Sequence, residues 1–451
     1  MADTANKLTI FMYPWFAMGH ITPYLLTANK LAERGHKITL VIPPKAQSKL
    51  GQLNLHPDLV HLRPISIPKV EGLPAHIETS NDATVLEQQL LRHALDLTAP
   101  TVKSLLCDVK PDLVISDFAY WLPGLARRMQ IKSVHFSAVS PAAMGFMFTG
   151  GTSPTEDDLH FPLSIKLYKH TARDLEWFKT AKEMGSGITM EQRLTTAISE
   201  SDAVCFKTCS EIEGAYVRFL ENKLKKPILL TGPLLPNPQS SSTDLDEKWA
   251  NWLNKFTPKT VIFCAFGSEA VLSKEQFQEL MLGLELTGFP FLIALRPPVG
   301  FDTIEEALPN GFTERVRERG FVHGGWVPQQ LILKHTAVGC FVTHCGYGSM
   351  WEGLMSECRL VALPHVADQY VQARLLSGVL KVAVEVEKGD EDGLFTKEGV
   401  CGAVMAAMAE ESGVGEEVVV NHEKWRGILG SEGFQDSYFD AFVENLRKLL
   451  D

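Results

Sequence analysis

The sequence predicts an α/β protein of two doubly wound domains, each a parallel sheet covered by helices, facing one another with a cleft between them. Three observations predict this. Short apolar runs alternate with helical patterns along the first half, which is the trace that βαβ units leave in a sequence. The alternation breaks at a turn-rich polar stretch running from Gly232 through Pro236, Pro238 and Ser240-Ser241-Ser242, then restarts at Lys259. The 451 residues, 45% of them hydrophobic, are more than one core usually encloses, so two domains of roughly 200 residues each are expected.

Taken in order, Lys7 to Tyr13 reads as a first strand. Thr22 to Arg34 reads as a helix, with Leu25, Leu26, Ala28, Leu31 and Ala32 at helical spacing, Pro23 near its start and Gly35 just beyond its end. Strand-like runs follow at Lys37 to Ile42, Val60 to Ile65, Leu113 to Ser116 and Ser133 to Phe136. After the break, Lys259 to Phe266 reads as a strand. Ser273 with Gln276 then forms a capping-box pattern opening a helix whose buried stripe is Phe277, Leu280, Met281 and Leu284. The resulting division is an N-terminal domain over 1–236, a linker over 237–250, a C-terminal domain over 251–435 and a terminal helix over 436–451 that packs back on the first domain.

Composition narrows the partners. A formal charge of -11 leaves no cationic excess to track a phosphate backbone or an anionic bilayer, so neither nucleic acid nor a membrane surface is expected. Eight cysteines spread through apolar runs without a CxxC pair read as reduced thiols in a cytoplasmic protein. The apolar start Leu8 to Tyr13 is short and is broken by Pro14, so it reads as a strand and not as a signal segment. No run reaches the roughly 18 to 20 apolar residues of a membrane span. With no feature pointing elsewhere, a monomer is expected.

The chemistry concentrates between Trp326 and Gln369. Gly339 to Thr343 reads as a strand, His344 to Gly348 as a tight turn and Ser349 onward as a helix; such a turn aims backbone N–H groups and a positive dipole end at an anion. Within the same window stand Trp326, Val327, Pro328, Gln329, His335, Phe341, His344-Cys345-Gly346, Ser349, Glu352, Pro364 and Asp368-Gln369. In these residues and their spacing the segment resembles the signature box of the plant family 1 UDP-dependent glycosyltransferases. The resemblance extends to Gly19-His20, to Phe266-Gly267-Ser268 and to overall length, and so spans the chain. It implies the GT-B fold and a UDP-sugar co-substrate used without a metal. It also implies donor contacts: Trp326 against uracil, Gln329 and Glu352 on ribose, His344 and Ser349 on the phosphates, Asp368 and Gln369 on sugar hydroxyls. Ser268, after its own strand, adds a second phosphate contact, and Gly346, Tyr347 and Gly348 form the phosphate-facing turn. Any one of these residues has an ordinary structural explanation; it is their number in one window that carries the reading.

A second element pairs His20, after the first strand, with Asp117, after the Leu113 to Ser116 strand. Both fall at the carboxyl edge of a parallel sheet, where open α/β folds bind ligands. An imidazole oriented by a carboxylate can take the proton of an attacking hydroxyl, and the family uses His and Asp at these positions in that way. Attack opposite the leaving UDP inverts the anomeric centre. The adjacent His344 and Cys345 do not suit a metal site. The acidic triplets Asp244-Leu245-Asp246 and Asp390-Glu391-Asp392 resemble a metal-binding DxD pattern but read as solvated loops.

The sequence departs from the family at Tyr347-Gly348, where Trp-Asn is usual, and at Cys358 and Leu360. Together with Pro14-Trp15-Phe16-Ala17-Met18-Gly19-His20, Tyr347-Gly348 looks like the branch that extends sugar chains on flavonoid glycosides. That resemblance implies an acceptor such as a flavonoid or anthocyanin 3-O-glycoside, taking sugar at the 2''-O position. A flavonoid or terpenoid aglycone is the alternative acceptor. Trp15, Phe16, Phe118, Trp121, Phe146 and Phe148 lie in segments expected to face it. UDP-glucose is the favoured donor, with UDP-xylose, UDP-galactose and UDP-rhamnose open, and Ser137 contacts a sugar hydroxyl by position. Two rival classes remain. A nicotinamide-dependent oxidoreductase is disfavoured because Trp351 stands where the third small residue of its fingerprint belongs. A non-catalytic ligand-binding protein would bind UDP without releasing it on addition of an acceptor.

Overall fold

The computed structural model describes residues 7–149, 162, 165, 167–234, 245–366, 368–409 and 413–451. They form two compact units, one drawn from Met1–Phe161, Glu176–Ser241 and Glu432–Asp451, the other from Pro162–Leu175 and Ser242–Ser431. The first carries seven strands: β1 (Thr9–Tyr13), β2 (Lys37–Ile42), β3 (Val60–Pro64), β4 (Leu113–Ser116), β5 (Lys132–Ser137), β6 (Ala203–Phe206) and β7 (Ile228–Leu230). Their spatial order is β3-β2-β1-β4-β5-β6-β7, and every pairing is parallel. Side chains alternate between two cores. Ile10 and Met12 enter one with Leu113 and Ile115, and Phe11 and Tyr13 enter the other with Val114, as a sheet covered on both faces requires.

The second unit holds β8 (Val261–Ala265), β9 (Phe291–Ala294), β10 (Gly320–His323), β11 (Val338–Thr343), β12 (Arg359–Ala362) and β13 (Ala383–Glu385). They run in the order β10-β9-β8-β11-β12-β13, again all parallel. Each sheet therefore reverses its winding once, between β1 and β4 in the first and between β8 and β11 in the second. A parallel sheet opens a ligand crevice beyond the carboxyl ends of the strands at such a reversal.

Several details differ from the sequence reading. The first helix spans Met18–Glu33, so it begins four residues early and Pro23 lies inside it. This is possible because Pro23 falls within the first two turns, where few intrahelical amide bonds are forgone. Ser273 caps its helix by accepting from the Gln276 amide at 3.2 Å, but the Gln276 side chain turns away to pair both backbone groups of Phe395, each at 3.1 Å. The segment 162–175, assigned from sequence to the N-terminal domain, belongs to the second unit. There the Arg374 guanidinium lies 4.3 Å over the Tyr168 ring, the Lys169 ammonium meets Glu391 at 2.6 Å, and the His170 amide donates to the Asp390 carbonyl at 3.0 Å. The acidic triplet at 390–392 thus has cationic partners from far along the chain. Of the stretch read as a linker, residues 237–244 lie outside the described residues, as does Asp244 of the other triplet, and 247–253 are helical.

The terminal helix Phe434–Lys448 sets Phe439, Phe442, Val443 and Leu446 into the first unit's core. Gln435 donates to the Thr231 carbonyl at 2.8 Å, and Arg34 donates to Asp440 at 2.7 Å.

Candidate active site

At the winding reversal of the first unit, β1 and β4 run side by side with Tyr13 opposite Ser116, so the residues just after them are neighbours. His20 stands in the first turn of Met18–Glu33, and its Nδ1 lies 2.6 Å from Asp117 Oδ2. The other carboxylate oxygen accepts from the Trp15 amide at 2.7 Å and the Phe118 amide at 2.5 Å. Asp117 is buried while His20 keeps 17% of its side chain exposed. A carboxylate held by two amides cannot rotate away, so it fixes which imidazole nitrogen carries the proton. Nε2 is then the nitrogen on the far side of the ring from Asp117.

The aromatic residues read as acceptor contacts divide into two groups. Phe118 meets His20 edge-on at 5.1 Å and stacks on Trp15 at 5.7 Å. It, Trp121 and Phe148 are partly exposed. Phe16 has no exposed surface, and Trp15 and Phe146 have almost none. Phe16 is therefore a core residue, packed on Tyr13 at 5.8 Å and Trp15 at 6.0 Å. Ser137 is buried, and its hydroxyl closes a local turn by donating to the Val139 carbonyl at 2.9 Å.

Two residues near this pair escaped the sequence reading. Arg193, wholly buried, donates to the Phe118 carbonyl at 3.1 Å, grips Asp96 through both terminal nitrogens at 2.8 and 2.9 Å, and bonds Glu183 at 2.7 Å. It thereby ties down the loop that begins with Asp117. His135 is opposite Ser116 in register and buried, and burial lowers its pKa to about 4 despite the Asp117 charge. Neither announced itself, because both act through partners far away in sequence.

In the second unit, β8 and β11 end side by side with Ala265 opposite Thr343. The turn after β8 contains Gly267 at φ +67°, where a Cβ would stand 2.8 Å from His344 Nε2; a Cβ on Gly346 would collide with the same ring. His344 is thus wedged between two glycine backbones. Burial lowers its pKa to about 4, with the Ala265 backbone opposing, so the enclosed ring favours its neutral form. Cys345 takes the left-handed conformation at φ 62°, its amide donating to Thr343 Oγ1 at 3.1 Å. The helix Tyr347–Met355 follows Gly346, an N-cap residue with no side chain to offer, and a helix start is the positive end of its dipole. Tyr347 is buried, 6.1 Å from the Trp351 ring. A Cβ on Gly348 would meet nothing within 4 Å.

Around that helix start, Gln329 Nε2 donates to Ser349 Oγ at 3.1 Å and to Glu352 Oε2 at 2.5 Å, and Gln330 Nε2 reaches Glu352 Oε1 at 3.0 Å. Gln330 is a further residue missed from sequence, signalled only by its place beside Gln329. Trp326 is 84% exposed, an apolar platform presented to solvent, and Val327 beside it is buried. Ser268 is partly exposed, and its carbonyl accepts from Arg296 at 3.2 Å. After β12, Gln369 Oε1 accepts from the His365 and Val366 amides at 3.0 and 3.1 Å, and Asp368 Oδ2 accepts from Gln372 at 2.8 Å. Among the described residues no group of three or more His, Cys, Asp or Glu side chains is arranged to hold a metal ion.

A family model described as UDP-glucoronosyl and UDP-glucosyl transferase matches residues 317–412. The chain is 46% identical, over all of both chains, to the Anthocyanidin 3-O-glucoside 2''-O-glucosyltransferase of Ipomoea nil. It is 49% identical, over 99% of each, to the Cyanidin 3-O-galactoside 2''-O-xylosyltransferase of Actinidia chinensis var. chinensis. The chain belongs to the plant family 1 UDP-dependent glycosyltransferases. The crystal structure of Arabidopsis thaliana UGT89C1 complexed with UDP-L-rhamnose covers 99% of this chain and 100% of its own at a TM-score of 0.79 and 23% identity, so it shows the fold. This glycosyltransferase has that GT-B fold, two Rossmann-like domains, and its full-length relatives place it in the sugar-chain-extending branch. Among its described residues no helix is long and apolar enough to cross a membrane.

Proposed function

We propose that this glycosyltransferase moves a sugar, favoured as glucose, from its UDP-sugar to the 2''-hydroxyl of a flavonoid or anthocyanin 3-O-glycoside, with inversion. The observation that carries the proposal is the His20–Asp117 contact at 2.6 Å, with Asp117 immobilised by two amides. In this reading Asp117 keeps the proton on Nδ1, and Nε2 removes the proton of the acceptor hydroxyl as its oxygen attacks the anomeric carbon. The bond from that carbon to the β-phosphate oxygen breaks, and UDP leaves with the electron pair. General-base assistance of this kind is worth about 10²- to 10⁴-fold. A sugar hydroxyl is far less acidic than a phenol, so the reaction leans heavily on that base. Phe118 and Trp121 offer faces for the acceptor's rings and sugar.

On the donor side, Trp326 stacks on uracil, and Gln329 and Glu352 hold the ribose. The start of Tyr347–Met355, with Ser349 and Ser268, receives the diphosphate, and the Asp368 carboxylate and Gln369 amide face the sugar hydroxyls. Gln369 has its oxygen engaged by two backbone amides, so its NH₂ is the end left to donate. The leaving charge is met by helix amides, and no metal is invoked. The extended-glycoside acceptor is supported by the Ipomoea nil relative, whose name specifies that chemistry. UDP-xylose is the second donor reading, favoured by the 49% identical xylosyltransferase. The reading extends to a cytoplasmic enzyme, which eight free thiols fit, and to a monomer.

The test is a product screen of purified enzyme by mass spectrometry, with UDP-glucose, UDP-xylose, UDP-galactose and UDP-rhamnose offered against flavonoid 3-O-glycosides and aglycones, and linkage then read by NMR. A β-linked disaccharide at the 3-position is expected. Transfer to aglycones alone would overturn the acceptor assignment.

A further inference from the structure

Beneath the residues that face the donor sugar lies a charge the mechanism above does not use. Lys388, just after β13, is buried, and its ammonium donates to the Pro364 carbonyl. It sits 5.5 Å from the Tyr370 ring centroid and 5.7 Å from that of Phe395. Pro364 begins the short stretch whose next two amides, from His365 and Val366, hold the Gln369 side chain. Tyr370 closes the same turn by donating to the His365 carbonyl at 2.7 Å. One buried cation therefore touches both ends of the turn that aims Asp368 and Gln369. A buried ammonium is costly to maintain without compensating contacts, and here those contacts converge on that turn.

We propose that Lys388 is a positioning residue for donor-sugar recognition, holding Pro364 and Tyr370 so that Asp368 and Gln369 meet the sugar hydroxyls in one geometry. This rests on the reading that Asp368 and Gln369 bind the donor sugar. Lys388 does not touch the nucleotide-binding set of Trp326, Gln329 and Glu352, so its effect separates sugar recognition from UDP binding.

The groups facing Lys388 come from several elements. Glu385 on β13 and Cys345 in the phosphate turn favour its charge, while burial dominates and lowers its pKa to about 8. Burial, with the Lys388 charge itself, drives His365 well below the ordinary histidine range; burial pushes Tyr370 up to about 12 and raises the Cys345 thiol. Glu385, raised by burial, is opposed by Arg374 at 3.3 Å. With its pKa lowered to about 8, Lys388 loses charge as pH rises from 7 to 9. Its deprotonation weakens the anchor, so the KM for UDP-sugar rises through that window while nucleotide affinity stays level.

The experiment compares the full chain with Lys388→Met and Lys388→Arg. KM and kcat/KM are measured for UDP-glucose and for UDP-galactose, which differ by the direction of one hydroxyl, and UDP affinity is measured by calorimetry. For K388M the expected result is about a tenfold rise in KM for UDP-glucose and a comparable loss of discrimination between the two donors, with UDP affinity within about twofold. K388R, which keeps the charge across this range, restores the pH 7 values and removes the pH 7 to 9 rise. Asp368→Asn and Gln369→Ala serve as references. If these collapse the donor ratio and K388M does not, the Lys388 inference alone is overturned. If they too leave the ratio unchanged, the sugar-contact reading falls and the inference with it. Should K388M fold poorly, Lys388→Gln, uncharged and shorter, takes its place: a donor ratio and KM for UDP-glucose equal to the parent's would overturn the proposal.

Discussion

Replacing Asp117 by asparagine exchanges one oxygen for an NH₂ in a site where every orientation of the new side chain loses something. If the new amide keeps its oxygen toward the Trp15 and Phe118 amides, which now lie at 2.7 and 2.5 Å from the carboxylate, its NH₂ faces His20 Nδ1 at 2.6 Å. The imidazole must then accept on Nδ1 and carry its proton on Nε2, the tautomer that cannot take a proton from the acceptor. If the side chain flips, its NH₂ confronts two backbone N–H donors, and each buried donor left unpaired costs about 1 to 3 kcal/mol. The first orientation is therefore preferred, and the fold survives with the wrong tautomer. Losing the base is expected to lower kcat by about 10²- to 10⁴-fold, or about 3 to 5 kcal/mol in the barrier. Steady-state UDP release with saturating donor and glycoside acceptor measures it, with UDP affinity and thermal midpoint as controls. A D117N enzyme within threefold of the parent kcat would refute the reasoning.

Three further outcomes follow from the same geometry. Gly267→Ala forces a side chain into φ +67° and against His344 Nε2; about 1 to 2 kcal/mol of backbone strain plus the clash should lower the thermal midpoint and weaken UDP binding measured by calorimetry. Arg193→Met strips the partner from Asp96 while leaving Arg92 on Glu183 at 2.5 Å, so chemical denaturation should record a loss of about 3 kcal/mol, and kcat should fall as the Phe118 carbonyl is released. His135 and His344, both held near a pKa of about 4 by burial, charge more readily unfolded, where the value is about 6.5. Their lowered folded pKa means that stability is whole above pH 6.5 and declines as pH falls toward 4, by up to about 3 kcal/mol for each. Denaturant midpoints at pH 7, 6 and 5 check the slope, and His135→Gln should flatten it by about one proton.

How much of this was legible in the sequence depends on the range of the interaction. Alternating apolar runs marked β1, β2, β4 and β11 because a strand covered on both faces must be apolar along its length. The pairing of His20 with Asp117 was readable because both follow strands that lie side by side in a doubly wound sheet. The Trp326 to Gln369 window was readable because its members stand at fixed spacing in one continuous stretch, within which Gln329 meets Ser349 and Glu352. Segment 162–175 was misplaced because its attachment to the second unit depends on Asp390 and Glu391, over two hundred residues on. Phe16 looked available and is enclosed, since an aromatic beside a catalytic residue carries no local mark of which way it packs. Arg193 and Lys388 were invisible for a related reason: a lone cation reads as surface until its buried partners are known.

The measurement that bears most directly on the central claim is made on His20→Ala. The imidazole is expected to serve proton removal and not nucleotide binding, so turnover with a flavonoid 3-O-glycoside should fall by at least about 10²-fold while calorimetry returns an unchanged affinity for UDP. Turnover within about tenfold of the parent, or a parallel collapse of UDP affinity in a well-folded variant, would contradict it.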